Sequence, residues 1–170
     1  MNIRGEKVVL RRVKESDFSN IIKWHQNDEL TYLVGERIPK SVDECRARYL
    51  NSKGIVERVL AIEDIKGRLI GQIEIDNINW IQKEAELFIY IGDRRLWGGG
   101  YGSDALTAFI KYFFDHKGFQ NVYLRVYEKN KRAIRCYEKC GFKKMGILKI
   151  KDREQYGDNL ILMTKTNVQK

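Results

Sequence analysis

Histidine is scarce in this chain. His25 and His116 are the only two among 170 residues, so a Ser-His-Asp type of nucleophilic catalysis would have to use one of them, and that chemistry is disfavoured. Cysteine is nearly as scarce: Cys45, Cys136 and Cys140 are odd in number and lack C-x-x-C spacing, which excludes a disulfide framework and fits a reducing compartment. Cys136 and Cys140 lie four apart on a predicted helix and share a face, but no histidine lies near them in sequence, so packing thiols are expected and no metal site. The only proline is Pro39. Linkers, internal repeats and low-complexity segments are missing, and the chain is predicted to be a single domain, residues 1–170, with one core. No apolar run exceeds the length of a strand, and Met1 to Lys7 lacks the apolar segment of a signal peptide or anchor, so a cytoplasmic protein without membrane association is expected.

What is present is positive charge and glycine. Lys and Arg number 32 against 23 Asp and Glu, a net +9, which favours a polyanionic ligand: nucleic acid, an acidic lipid surface or a phosphate-rich cofactor. The basic residues are spread along the chain. Their largest groups are Lys129, Lys131, Arg132 and Arg135, and Lys143 with Lys144. No aromatic-basic motif accompanies them, so a nucleic-acid reading rests on charge alone.

Glycines 98, 99, 100 and 102 fall in EAELFIYIGDRRLWGGGYGSDAL, residues 84–106. An alternating apolar run stops at the glycine cluster and a helical pattern starts near Ser103, which reads as strand, loop and helix. Glycines leave successive backbone N–H groups uncovered and the helix start adds unpaired N–H groups, so the place suits an anion. A mobile turn is the plain alternative. A nucleoside-triphosphate loop is excluded, because Tyr101, Gly102 and Ser103 stand where a Lys would be needed, and the dinucleotide fingerprint fails at its third glycine.

In chain order, Lys7 to Val13 reads as a strand. Ser16 and Asp17 open a helix carrying Phe18, Ile21, Ile22 and Trp24 and ending near Asn27. Glu29 to Lys40 has no clean period, and its Tyr32, Glu36 and Arg37 read as a substrate-facing flap or a surface loop. A second helix runs from Val42 to about Ser52, with Val42, Cys45 and Tyr49 on its apolar side. Glu57 to Glu63 and Arg68 to Asp76 form a hairpin across Ile65, Lys66 and Gly67, and a turn leads to strand 85–91. After the glycines, Leu106, Phe109, Ile110, Phe113 and Phe114 recur at helical spacing as a core stripe. Asn121 to Tyr127 is a strand, and Asn130 caps a helix with Ala133, Ile134, Tyr137 and Cys140 inward and Gly141 as its stop. Strand, helix, strand, helix marks a parallel crossover. Phe142 to Ile150 and Asn159 to Thr166 close the sheet across a polar turn with Asp158.

These residues resemble the GNAT superfamily of acyl-CoA-dependent N-acetyltransferases, in its branch of ribosomal-protein alanine and polyamine acetyltransferases. Residues 84–106 look like that branch's strand and W-G-x-G-Y-[GA] loop, and NKRAIRCYEKCGF, residues 130–142, looks like its N-x-x-A-x-x-x-Y-x-K-x-G-F helix. The resemblance implies an α/β fold: a mixed, mostly antiparallel sheet of about seven strands, splayed between the fourth and fifth, with about four helices. It implies acetyl-CoA as co-substrate, no metal, and direct transfer of acetyl to a primary amine in a ternary complex. The acceptor would be a small molecule such as a polyamine, aminoglycoside or amino sugar, or a protein N-terminus.

The family's Gln/Arg-x-x-Gly-x-Gly/Ala pattern fits best as Trp97 to Gly102, which leaves Arg94, Arg95 and Trp97 without settled roles. By resemblance, the cofactor contacts are Ile89, Ile91, Trp97, Gly98, Gly99, Gly100, Tyr101, Gly102, Ser103, Asn130 and Ala133. Asn130 would serve either the pantetheine arm or its helix cap. Tyr137 matches the general acid that protonates the leaving thiolate. Glu86 is the candidate base, with Glu84 and Glu74 as competitors; carboxylates at the acceptor site would also draw cationic amines. A non-catalytic acyl-CoA sensor of the same fold is the alternative function. Exposed sheet edges are compatible with a homodimer.

Overall fold

The computed structural model describes residues 2–51, 58–149 and 159–168. Among these residues eight strands form one sheet in the order β1-β2-β3-β4-β5-β6-β8-β7. The first five, β1 (Asn2–Arg4), β2 (Val8–Arg12), β3 (Val59–Asp64), β4 (Leu69–Asn79) and β5 (Glu84–Ile91), are antiparallel neighbours. β6 (Asn121–Tyr127) lies parallel to β5, and β8 (Leu160–Thr166) inserts antiparallel between β6 and β7 (Lys143–Leu148). The short strand Asn2–Arg4 precedes the expected first strand, so the sheet has eight strands and the splay falls between the fifth and sixth.

The splay is a matter of register. β5 and β6 pair only at Glu84, Ala85 and Glu86, opposite Asn121, Val122 and Tyr123. Beyond Glu86 the two strands part.

Among the described residues five α-helices cover the sheet. On one face lie α4 (Tyr101–Lys117) and α5 (Lys131–Lys139). The aromatic stripe of α4 does what its spacing predicts: Leu106, Phe109, Ile110, Phe113 and Phe114 are all buried, in one cluster with Ile73, Leu87, Val122 and Leu124. Burial of each such side chain stabilises the fold by about 1.5–3 kcal/mol. On the other face, α1 (Phe18–His25), α2 (Asp28–Val34) and α3 (Val42–Cys45) bury a smaller cluster of Phe18, Ile21, Leu30, Ile38 and Cys45.

α2 replaces part of the expected loop. Asn27, expected only as the end of the first helix, accepts from Leu30 N at 3.1 Å and starts the second. At seven residues, that helix is too short to show a hydrophobic period. After α3 the chain continues through Arg46–Leu50 in a wider turn, with Asn51 N bonded to Arg46 O at 3.0 Å. Val42, expected inward, is 44% exposed, while Cys45 is buried. The predicted turn at Asp158, and the strand and helix ends at Ile150, Glu57 and Ser52, lie outside the described residues. Among the described residues no helix is long and apolar enough to cross a membrane.

Candidate functional site

The parting of β5 and β6 opens a cleft of about 600 Å³. It is floored by β5 from Leu87 to Ile91 and walled by the glycine loop, the start of α4, the cleft side of α5, and α2 with Gly35.

The glycine loop is shaped by backbone angles that side chains rarely adopt. Gly98 and Gly100 have φ of 77° and 83°. Either would cost another residue about 1–2 kcal/mol. Gly100 immediately precedes α4, which begins at Tyr101, two residues before the expected start. Tyr101, Gly102 and Ser103 are therefore first-turn residues, whose N–H groups have no partner within the helix. The Ser103 hydroxyl donates to Gly100 O at 3.1 Å. Lys7 Nζ donates to Gly99 O at 3.0 Å. The Asp104 carboxylate accepts from the backbone N–H of Glu6, Lys7 and Val8 at 3.0, 2.8 and 3.1 Å. The loop is thus clamped to the β1–β2 turn.

Along β5, Gly92 N donates to Ile70 O at 2.8 Å, and Tyr90 and Phe88 stand opposite Gln72 and Glu74. Backbone groups alternate in direction, so those of Ile89 and Ile91 face away from β4, toward the cleft. The two are not equivalent. The Trp97 indole Nε1 donates to Ile91 O at 2.8 Å, which fills that carbonyl and pins the loop to the strand end.

α5 brings Asn130, Ala133 and Tyr137 to the opposite wall. Asn130 Oδ1 accepts from Ala133 N at 3.2 Å, so the helix cap is formed; it uses only the oxygen of the amide. Burial pushes the Tyr137 phenol above its ordinary pKa, with Cys136 adding to the shift. The hydroxyl therefore keeps its proton across the neutral range. All three cysteines are free thiols. Cys140 contacts the Ser103 carbonyl and the Thr107 hydroxyl at 3.7 and 3.8 Å, tying α5 to α4.

Arg132 was not singled out by the sequence. Its guanidinium lies 3.5 Å from the centroid of the Trp97 ring, across the cleft mouth from α5 to the glycine loop. Nη1 is buried without a hydrogen-bonding partner, and burial lowers the pKa of the group. A half-buried guanidinium with one nitrogen unmet among the described residues suits an anion. The only sequence signal was its place in the basic group before Tyr137.

The carboxylates stand apart from the cleft. Glu86 is 1% exposed; its two oxygens meet Arg125 Nε and Nη2 at 2.5 and 3.1 Å, and Asn77 Nδ2 adds a bond of 2.6 Å. Asn77 reaches it from a left-handed backbone position, φ 47°. Arg125 lines the cleft; Glu86 is buried behind it. With both oxygens engaged, Glu86, the base expected from the sequence, stands behind Arg125 and is not part of the cleft lining. Glu74, the competitor, is also removed from the cleft, held by Arg48 at 2.6 Å and Arg37 at 3.4 Å. Glu84 does not line the cleft either.

The acetyltransferase (GNAT) domain family matches residues 7–143. A spermidine N(1)-acetyltransferase of Vibrio cholerae is 30% identical over 147 residues, 85% of this chain and 83% of that protein. The solved structure of spermidine N-acetyltransferase from Vibrio cholerae in complex with CoA and spermine superposes with a TM-score of 0.79 at 26% identity, covering 94% of this chain and 95% of that one. An acetyltransferase of the GNAT family from Bacillus anthracis shares the fold, with a TM-score of 0.82 at 17% identity and 98% coverage of both chains. With the family matched over most of its length and the splayed sheet and glycine loop in place, the chain belongs to the GNAT family of acetyltransferases.

Proposed function

We propose that the protein transfers an acetyl group from acetyl-CoA directly to a primary amine, a small molecule or a protein N-terminus, with both substrates bound in the β5–β6 cleft. The observation that carries this reading is the pairing of β5 and β6, which stops at Glu86 and leaves a strand edge beside an anion-binding loop. Three features fit acetyl-CoA. The first-turn N–H groups of α4 and the positive-φ glycines suit the pyrophosphate. The outward backbone of Ile89 and the N–H of Ile91 suit a pantetheine arm lying as an added strand. Arg132, with its unpaired Nη1, supplies a charged donor to a phosphate oxygen.

Acetyl-CoA, when bound, supplies an acetyl group activated as a thioester, so that one C–S bond is exchanged for one C–N bond without a covalent enzyme intermediate. Tyr137 holds the proton at its Oη and delivers it to the departing sulfur. The amine's own proton leaves through water, which restores the Tyr137 phenol, because no Asp, Glu or His among the described residues lines the cleft. Glu86 fixes Arg125 and acts as a positioning residue. Asn130 presents its amide N–H₂ to the pantetheine arm while its oxygen caps α5. The phenol in the cleft favours an enzyme over a sensor that only binds acyl-CoA. The edge strand β7 exposes Met145, Ile147 and Leu148, a surface suited to self-association as a homodimer.

The test is amine-dependent release of free thiol from acetyl-CoA, measured beside calorimetric acetyl-CoA binding. Wild type is expected to bind and release, and Tyr137→Phe to bind and not release. Equal release by both proteins would remove Tyr137 from the reaction.

A further inference from the structure

We propose that the acceptor is an amine with an apolar body, an alkyl or arylalkyl group without a second charge, seated on the α1–α3 side of the parted strands. The inference rests on the acetyl-transfer reading above and names its substrate class.

The parting of β5 and β6 opens the sheet toward both of its faces, and strand alternation sorts the lining residues between them. On β5, Leu87 belongs to the cluster under α4, with Ile89 and Ile91 packed against it, whereas Tyr90 packs against the cluster under α1–α3. Phe88 shares the face of Tyr90. On β6, Val122, Leu124 and Val126 take the α4 side, which leaves Arg125 and Tyr127 on the other. On β8, Ile161 and Met163 also take the α4 side, and Leu160, opposite Tyr127 in register, faces away from it. Leu33 and Val34 of α2 complete this side. Tyr137, Asn130, Arg132 and the first turn of α4 belong to the helices of the opposite face. With the donor served from there, the amine is left the α1–α3 side.

The material of that side is apolar. Leu33, Val34, Phe88, Tyr127 and Leu160 line it, and each is partly exposed, so each keeps surface for an occupant. Arg125 lines it too, but its guanidinium is already engaged by both oxygens of Glu86. The other cations of the lining, Arg132, Arg135 and Lys139, are carried by α5 on the donor side. A second ammonium on the acceptor would lose its hydration here and gain no partner among these residues. Methylene groups or a ring would instead bury apolar surface on both partners.

Two aromatic contacts shape the same side. Tyr32 of α2 stacks on Tyr127 of β6, with centroids 5.3 Å apart and planes within 14°, so the helix and the parted strand are joined by a slab of aromatic surface. Phe88 is backed by Arg37, whose guanidinium carbon lies 3.1 Å from the ring centroid and whose charge is met by Glu74 at 3.4 Å. Rings held in place this way suit a flat or aliphatic neighbour.

The experiment measures kcat/KM for ethylamine, propylamine, butylamine, pentylamine and phenethylamine, and for putrescine, spermidine and kanamycin, all referred to the concentration of neutral amine. It uses wild type, Leu33→Ala and Leu33→Glu, with acetyl-CoA binding and melting temperature recorded for each protein. Calorimetry follows phenethylamine binding to the CoA-loaded protein. From ethylamine to pentylamine, kcat/KM is expected to rise about three- to fourfold per methylene. Pentylamine should exceed putrescine, in which an ammonium replaces the terminal methyl, by about tenfold or more. Leu33→Ala should raise the KM and the dissociation constant of phenethylamine about tenfold with acetyl-CoA binding unchanged, and Leu33→Glu should shift preference toward putrescine. A flat alkylamine series, putrescine, spermidine or kanamycin as the best substrate, no turnover of any apolar amine by protein that binds acetyl-CoA, or unchanged phenethylamine binding in Leu33→Ala would overturn the proposal. Absent acetyl-CoA binding in wild type would instead overturn the donor reading, and this inference with it.

Discussion

The two halves of the cleft are made of different material. The donor half is built from backbone: two positive-φ glycines, the first turn of α4, and the outward edge of β5. The sheet face on the side of α1–α3 is built instead from paired side chains, Glu86 with Arg125 and Asn77, and Glu74 with Arg37 and Arg48, of which only Arg125 lines the cleft. Backbone devices need particular residues at close spacing and tolerate little change around them. Charge pairs need only complementary partners, so the same sheet can carry a constant donor site and a variable acceptor site.

Substitutions can break this contrast. The largest effect is expected at the joint between the halves: Tyr137→Phe should lower kcat by about 10²–10⁴ with acetyl-CoA affinity unchanged. Because burial raises the Tyr137 phenol, its O–H persists above the ordinary range near pH 10. Activity should therefore rise as the amine deprotonates and show no descending limb from this group below about pH 10. A fall beginning near pH 8 would assign the acid elsewhere.

On the acceptor side, Arg125→Leu leaves Glu86 buried with Asn77 alone, and should cost about 2–4 kcal/mol in a urea titration, discounted because the Arg125 side chain is 41% exposed. Glu86→Gln keeps an oxygen for one side of Arg125 but sets an amide N–H₂ against another donor; it should still retain kcat within about tenfold, which a direct base would not. On the donor side, Arg132→Ala should weaken acetyl-CoA about 10–100-fold, the worth of a hydrogen bond to a charged group, and leave the acceptor KM unmoved. A smaller effect than for Arg132 is expected for Gly100→Ala, about tenfold in acetyl-CoA affinity, since the new Cβ meets only the end of the Lys7 side chain, Nζ at 3.2 Å, and the strain is local.

The same contrast explains what the sequence reveals. The β5–loop–α4 unit, the α4 stripe and the α5 motif are legible because glycine spacing and helical period are local signals. Tyr137, Asn130 and the glycines follow from them; Tyr137, Asn130, Gly98, Gly100 and Gly102 line the cleft, and Gly99 does not. α2 is not legible, since about two turns of helix carry no period and Asn27 reads equally as an end. Nor is the fate of Glu86: Arg125 lies 39 residues away, and only the parallel register at Glu86 and Tyr123 brings their side chains together. Arg132 escaped notice because a basic residue on an amphipathic helix looks solvated until Trp97 is seen beneath it.

The central claim is that acetyl-CoA occupies the β5 edge and the glycine loop, and amide-resolved hydrogen exchange with and without acetyl-CoA tests it most directly. The account predicts new protection at the N–H groups of Ile89 and Ile91 and through Gly98–Gly102, with the β3–β4 hairpin unchanged. Binding that leaves those amides unprotected would contradict it.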